Sequence, residues 1–207
     1  MTQVLTTPPS TETAPAPSFA SQIADPAPLG LAAFALTTFM LSAFNSGLLP
    51  KSAEVVILGV ALFYGGLAQL FAGMWEFAKG NTFGALAFSS YGAFWMAFWY
   101  LVSHGADLPK TGNDAAQGIG VFLLAWTIFT LYMTVVTARL SGLLFTLFAV
   151  LLVTFAFLTI GEFSGSATMT HIGGYLGLVT ALVAWYGSFA GVLNGTAKKV
   201  ILPTWPR

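Results

Sequence analysis

The sequence predicts an all-α integral membrane protein with six transmembrane helices. First, 57% of its 207 residues are hydrophobic and only 7% are charged, whereas soluble domains carry about 25% charged residues. Second, its apolar residues fall into runs of about 20, the length that a membrane-spanning helix needs. Third, these runs lack the alternation of apolar and polar residues that the strands of a membrane β-barrel require.

The six predicted spans follow one another with short connections. We expect them at residues 28–49, 55–77, 83–102, 119–136, 140–160 and 172–193. Only the connection at 103–118 is long enough to form an extended loop. Residues 1–24 are rich in Thr, Pro, Ser and Ala and predict a disordered tail. The six-helix domain would then cover residues 25–203, and a short C-terminal tail would cover 204–207.

The distribution of basic residues predicts the orientation of the bundle. An even number of spans places both termini on one side, together with five of the seven bases: Lys79, Arg139, Lys198, Lys199 and Arg207. The opposite side carries Lys51 and Lys110. By the positive-inside rule, both termini are expected in the cytoplasm, so the chain would be a multi-pass protein of the cytoplasmic membrane.

The sequence gives no sign of catalysis or of nucleic-acid binding. It has no cysteine, only two histidines, and a formal net charge of zero. No metalloprotease, phosphate-binding or nucleophile motif occurs, and a nucleic-acid partner would need a basic patch. We therefore expect no enzyme activity, no metal, no cofactor and no nucleic-acid partner.

Polar residues inside the spans are the first functional candidates. Thr37 and Asn45 lie in the first span and Gln69 in the second. Asn and Gln need a partner across a helix interface or water, so they either hold helices together or line a pore. Glu76 lies about one turn from the end of the second span. It either pairs with Lys79 three residues later or faces a transport path.

Two further ionisable residues flank the connection between the fifth and sixth spans. Glu162 precedes this connection and His171 follows it. Loops run over the protein surface, so the simpler interpretation is that both are exposed loop residues. A role in a path is the alternative.

Three stretches resemble one known family. They are DPAPLGL at 25–31, FYGGLAQLFAGMWEFAKGNTFGALAFSSYGAFW at 63–95, and IGEFSG at 160–165. Together they resemble the acetate uptake transporter family, also called the GPR1/FUN34/YaaH or succinate-acetate permease family. The family's usual Asn at the start of the first stretch is Asp25 here. Either residue can cap a helix N-terminus before Pro26.

The resemblance implies a six-helix protomer that assembles as a homo-hexamer. Each protomer would have its own path for acetate and related short monocarboxylates. Midway along this path, the resemblance implies a hydrophobic constriction that the positions in the motifs assign to Phe34, Tyr91 and Leu151. The Tyr91 hydroxyl would be available there as a donor. Ala184 in the last span would be a size-limiting neighbour of the path.

The KGNTFG motif at 79–84 would end the second helix and start the third. Asn81 and Thr82 in this turn would offer donors to a carboxylate or to backbone carbonyls, and Glu76 would pair locally or lie near the cytoplasmic mouth.

Transport of acetate or acetic acid is thus the leading hypothesis. A channel and a carrier that moves a proton with the acid both stay open at this point. The rival hypothesis is a membrane sensor that binds small carboxylates without flux. Such a protein would need a soluble output domain, which this sequence does not contain.

Overall fold

The computed structural model of the protein describes residues 18–105 and 114–207. It contains seven helices: α1 (Phe19–Gln22), α2 (Ala27–Asn45), α3 (Lys51–Lys79), α4 (Thr82–Ser103), α5 (Asp114–Thr137), α6 (Gly142–Ser164) and α7 (Ala167–Ala197). Helices α2 to α7 are each long and apolar enough to cross a membrane. The predicted six-helix class is confirmed.

The predicted tail and the predicted long loop are only partly described. Residues 1–17 of the tail lie outside the described residues, and α1 forms within its last part. Residues 106–113 of the loop also lie outside them. Helix α5 begins at Asp114, five residues before the predicted start of its span.

The bundle is held together by close helix pairs. The most extensive contacts between helices are those of α2 with α7, α7 with α6, α6 with α5, and α3 with α4. At the α2–α7 crossing, Gly174 lies against the backbone of Ser46, and Gly177 lies against the side chain of Ser42. A side chain at either glycine would collide with α2. Small residues therefore set the distance between these two helices, as is common in membranes.

Helix α3 is less regular than its apolar sequence predicts. It begins as a 3-10 helix over Lys51–Val56 and contains a π-helical segment over Ala61–Ala68. Gly65 in this segment faces Thr37 of α2 at close range, and the Gly66 carbonyl lies beside Gly92 of α4. The widened turn lies where α3 meets both neighbours, and π turns of this kind are frequent at functional sites.

The KGNTFG turn ends α3 and starts α4, as the motif predicts. Gly80 adopts the left-handed conformation, with φ of 80°, and this conformation favours glycine. The Asn81 side chain then caps α4 by accepting a hydrogen bond of 3.1 Å from the Gly84 N–H.

Asp25 links the start of α2 to the end of α3. Its carboxylate accepts a long hydrogen bond of 3.4 Å from the Ala27 N–H, and it pairs with the Lys79 ammonium at 3.0 Å. Pro26 occupies the N-cap position of α2 without a side-chain cap hydrogen bond, so Asp25 lies one residue before the position at which it was expected to cap the helix.

The last residues of the chain fold back onto the α5–α6 turn. The Gly142 N–H donates to the Trp205 carbonyl at 2.8 Å, and the Arg207 N–H donates to the Leu140 carbonyl at 3.0 Å. The Arg207 guanidinium also donates to the Ala138 carbonyl at 2.8 Å. The segment assigned from sequence to a C-terminal tail is therefore tied to the bundle.

Candidate functional site

A wide cavity opens at the end of the bundle that lies away from the start of α2 and the end of α7. It has a volume of about 770 Å³ and is lined by the ends of all six long helices. Its polar lining includes Asn45, Lys51, Glu54, Glu162 and His171. The Lys51 ammonium donates to Glu54 at 2.7 Å and to the Asn45 side-chain carbonyl at 3.1 Å. We call this cavity the vestibule.

A second, much smaller cavity lies deeper in the bundle. It measures about 30 Å³, which is room for one or two water molecules. The predicted constriction residues Phe34, Tyr91 and Leu151 all line it, together with Leu31, Phe83, Ala87, Phe88, Leu144, Leu147 and Phe148. Its exposed lining is entirely apolar. We call this cavity the waist.

The structure brings the three predicted constriction residues together from three helices. The rings of Phe34 on α2 and Tyr91 on α4 lie 5.6 Å apart, and the rings of Tyr91 and Phe148 on α6 lie 6.1 Å apart. Leu151 lies one turn beyond Phe148 on the same helix and is 4% exposed. Motif position alone therefore placed residues from distant parts of the chain in one cavity.

An aromatic cluster separates the waist from the vestibule. Phe94 and Phe122 line the vestibule, with ring centroids 5.6 Å apart. Trp126 contacts Phe94 at 5.2 Å and Tyr91 at 5.9 Å. Phe155 also packs edge-on against Phe94, at 5.5 Å. A solute moving from the vestibule to the waist would have to displace these rings.

The Tyr91 hydroxyl does not face the waist. Its oxygen lies 2.8 Å from Oγ1 of Thr130 on α5, and the exposed lining of the waist contains no polar surface. The expectation that this hydroxyl is available as a donor in the path is therefore wrong for this structure. The side chain contributes its ring to the waist and its polar end to α5.

The other polar candidates of the first span occupy different places. Asn45 is part of the vestibule, as described above. Thr37 is fully buried, donates to the Ala33 carbonyl at 2.8 Å and packs against Gly65. Thr37 therefore lies in the contact between α2 and α3.

Ala184 on α7 is fully buried in the same apolar cluster as Phe34 and Tyr91.

Gln69 and Glu76 are buried within α3 but line neither cavity. Gln69 is 1% exposed, and its amide makes no hydrogen bond within the described part of the chain. Glu76 is fully buried and accepts a hydrogen bond of 2.9 Å from the Asn81 amide. The alternative in which Glu76 pairs with Lys79 is wrong, because Lys79 pairs with Asp25 instead.

Asn81 and Thr82 are both exposed at the turn between α3 and α4. The amide of Asn81 is engaged by Glu76, and its carbonyl is engaged by the cap of α4. This side chain therefore serves the turn in the structure, and Thr82 begins α4.

The interpretation of Glu162 and His171 as exposed loop residues is wrong about the loop, although His171 is exposed and Glu162 is partly exposed. Helix α6 extends to Ser164 and α7 begins at Ala167, so both residues belong to helices and line the vestibule. Their helices extend beyond their apolar cores, and hydropathy marks only the apolar part of a helix. The motif IGEFSG was the signal that could have assigned Glu162 to the site.

Comparison with known proteins gives one family. The model of the GPR1/FUN34/yaaH family matches residues 9–206. The chain is 43% identical over 197 residues to accumulation of dyads protein 2 of Saccharomyces cerevisiae, covering 92% of this chain and 69% of that one. It is 41% identical over 186 residues to the succinate-acetate/proton symporter SatP of Escherichia coli K12, covering 88% and 96%.

A solved structure agrees with this result. The structure of the bacterial acetate channel SatP matches with a TM-score of 0.81 and 40% identity, covering 88% of this chain and 99% of that chain. The chain is also 40% identical over 198 residues to acetate permease A of Emericella nidulans. It spans about two thirds of the length of this relative and of those from Saccharomyces cerevisiae.

Proposed function

The chain belongs to the GPR1/FUN34/yaaH family, and from this premise we propose that it carries acetate and related short monocarboxylates across a membrane, with no enzymatic step. The observation that carries the proposal is the pairing, in one bundle, of a vestibule that carries charged side chains with a waist that is entirely apolar. The relatives at about 40% identity named for acetate support the choice of substrate.

The waist accounts for selectivity by size and by polarity. An inorganic ion would have to give up its hydration shell in a cavity that offers no polar group in return. A short monocarboxylic acid would place its apolar end between Phe34, Tyr91 and Leu151. At about 30 Å³ the waist has room for one or two water molecules and not for the whole acid, so passage would require the lining rings to move.

The coupling of the substrate to protons is the open part of this function. One relative is named a proton symporter and another a channel. Both names are compatible with a path in which the acid crosses the waist with its proton. We propose such a channel-like path within each protomer of a homo-hexamer in the cytoplasmic membrane, with both termini in the cytoplasm.

The test is the flux of labelled acetate into proteoliposomes of the purified protein, with empty liposomes as the reference. Flux should exceed the leak of empty liposomes. Phe34→Ala should raise the flux of propionate relative to that of acetate by about tenfold, the lower end of what one methylene discriminates in an apolar pocket.

Phe39→Ala is the matched control. Phe39 lies on the same helix but is 39% exposed and lines neither cavity, so this variant should keep the propionate-to-acetate ratio. An unchanged ratio in Phe34→Ala would remove Phe34 from the path. Binding of acetate without any flux would favour the sensor over the transporter.

A further inference from the structure

We propose that Thr130 is a positioning residue that holds the Tyr91 hydroxyl out of the waist and so makes the waist favour the neutral carboxylic acid over its anion. This inference rests on the proposed function, because it concerns which form of the substrate crosses. It assigns a role to a side chain that lines neither the vestibule nor the waist.

Counting protons fixes the direction of the hydrogen bonds. The Thr130 hydroxyl lies 2.7 Å from the Trp126 carbonyl, which can only accept. The same hydroxyl lies 2.8 Å from the Tyr91 oxygen. Two hydroxyl protons make both bonds only if Thr130 donates to Trp126 and Tyr91 donates to Thr130. The single proton of the Tyr91 hydroxyl is then already used.

Burial and ring contacts hold this arrangement in place. Thr130 is fully buried and Tyr91 is 3% exposed. Phe129 packs edge-on against the Tyr91 ring at 5.3 Å, and Trp126 packs against it at 5.9 Å. The hydroxyl therefore has Thr130 as its partner on the α5 side, while the ring closes the waist.

The consequence is a difference between the two forms of the substrate. A carboxylate that enters the waist finds no hydrogen-bond donor, so its transfer from water into these apolar surroundings is strongly unfavourable. The protonated acid carries no charge, so its transfer costs much less free energy. If Thr130 lost its hydroxyl, the Tyr91 hydroxyl would itself be unpaired, and a small rotation of the Tyr91 ring would offer its proton to a carboxylate in the waist.

The experiment measures both forms on the same reconstituted protein. Anion flux is read as the acetate current across a planar bilayer under voltage. Acid flux is read as acidification of the vesicle lumen beyond that of empty vesicles. Thr130→Val should raise the ratio of anion current to acid flux by about tenfold, the lower end of what a hydrogen bond to a charged group contributes.

Three matched variants isolate the contact between Thr130 and Tyr91. Thr130→Ser keeps the hydroxyl and should restore the wild-type ratio. Thr127→Val removes a hydroxyl one turn away, which pairs with Thr159 at 3.0 Å, and should leave the ratio unchanged. In the background of Tyr91→Phe, Thr130→Val should not increase the ratio of anion current to acid flux, because the variant has no Tyr91 hydroxyl that could bind the anion.

Two results would overturn the inference. One is a parallel loss of current and acid flux in Thr130→Val, which would indicate a packing role only. The other is an increase in the ratio that persists in the Tyr91→Phe background. Should Thr130→Val not assemble, Thr130→Ala is judged by the same ratio. A wild-type protein without flux in either readout would overturn the proposed function and this inference with it.

Discussion

The vestibule and the waist lie in one bundle, yet they differ in volume and in the charged groups that they offer to a carboxylate. The vestibule is about 770 Å³ and carries Lys51, Glu54, Glu162 and His171. The waist is about 30 Å³ and presents only apolar surface. The vestibule is lined by helix ends and their connections, whereas the waist is lined by the inner faces of helices.

Under the proposed function, this difference assigns a different task to each cavity. Charged side chains are tolerated at helix ends because water reaches them there. They can attract or orient an anion but cannot distinguish one short acid from another. In the proposed path, the waist would distinguish solutes by size and by charge, because it offers no compensation for a lost hydration shell. Attraction and selection would then lie on different parts of the same helices.

The same substitution at two leucines of α6 tests this comparison with the largest expected effect. Leu151→Asp puts a carboxyl group in the waist, and Leu158→Asp puts one seven residues later in the vestibule lining. The new carboxylate would repel an acetate anion about 6 Å away by about 3 kcal/mol at an effective dielectric constant of about 20, so the flux of acetate anion should fall by about 100-fold in Leu151→Asp.

Leu158→Asp should keep acetate flux within about threefold of wild type, because water in the vestibule solvates its carboxylate. Size-exclusion chromatography of both variants separates loss of transport from loss of assembly. Equal losses of flux in two well-assembled variants would contradict the distinction between an apolar waist and a vestibule that water fills.

The architecture and part of the waist could be predicted from the sequence. Apolar runs of about 20 residues predict a helical bundle, because each helix pairs its own backbone polar groups in lipid. The motifs around Phe34 and Tyr91 have fixed positions within these runs. The π-helical segment of α3 could not be predicted, because it depends on how Gly65 and Gly66 approach the neighbouring helices. Such contacts exist only in the folded bundle.

Thr130 shows why other parts of the site are invisible in the sequence. A threonine in a membrane helix can bond its own backbone, so its presence alone indicates nothing. Its role follows from the 2.8 Å contact with Tyr91, which lies 39 residues away in the chain. Glu162 was likewise misjudged, because hydropathy could not show that α6 continues to Ser164.

Ala184→Gly tests the size of the waist with a smaller effect. Ala184 is fully buried in the apolar cluster around Phe34 and Tyr91. Removing its methyl group should raise the flux of propionate relative to acetate by about threefold, less than the discrimination of a full methylene. The cost in stability should be about 1 kcal/mol, since glycine is a poorer helix former than alanine.

Ala190→Gly is the control for Ala184→Gly. Ala190 is equally buried on α7 but lies outside that cluster, so this variant should share the stability cost and keep the wild-type flux ratio. Thermal unfolding in detergent measures the first quantity and competition flux the second. An equal change of ratio in both variants would mean that α7 loosens as a whole.

Glu54→Gln tests the vestibule with the smallest expected effect. It removes one negative charge beside Lys51, whose ammonium lies 2.7 Å from the Glu54 carboxylate. At about 10 Å in water, one unit charge changes the energy of an anion by about 0.4 kcal/mol, which is about a twofold change in local concentration. The acetate current should therefore rise about twofold at low ionic strength.

In 1 M salt the increase caused by Glu54→Gln should vanish, because the Debye length falls to about 3 Å. The flux of neutral acid should not change at either salt concentration, since the potential of the vestibule acts only on charge. Lys51→Gln should shift the current in the opposite direction by a similar factor. A change in acid flux that persists in 1 M salt would mean that Glu54 acts by orienting Lys51 and the solute through direct contact, and the vestibule would then share in selection.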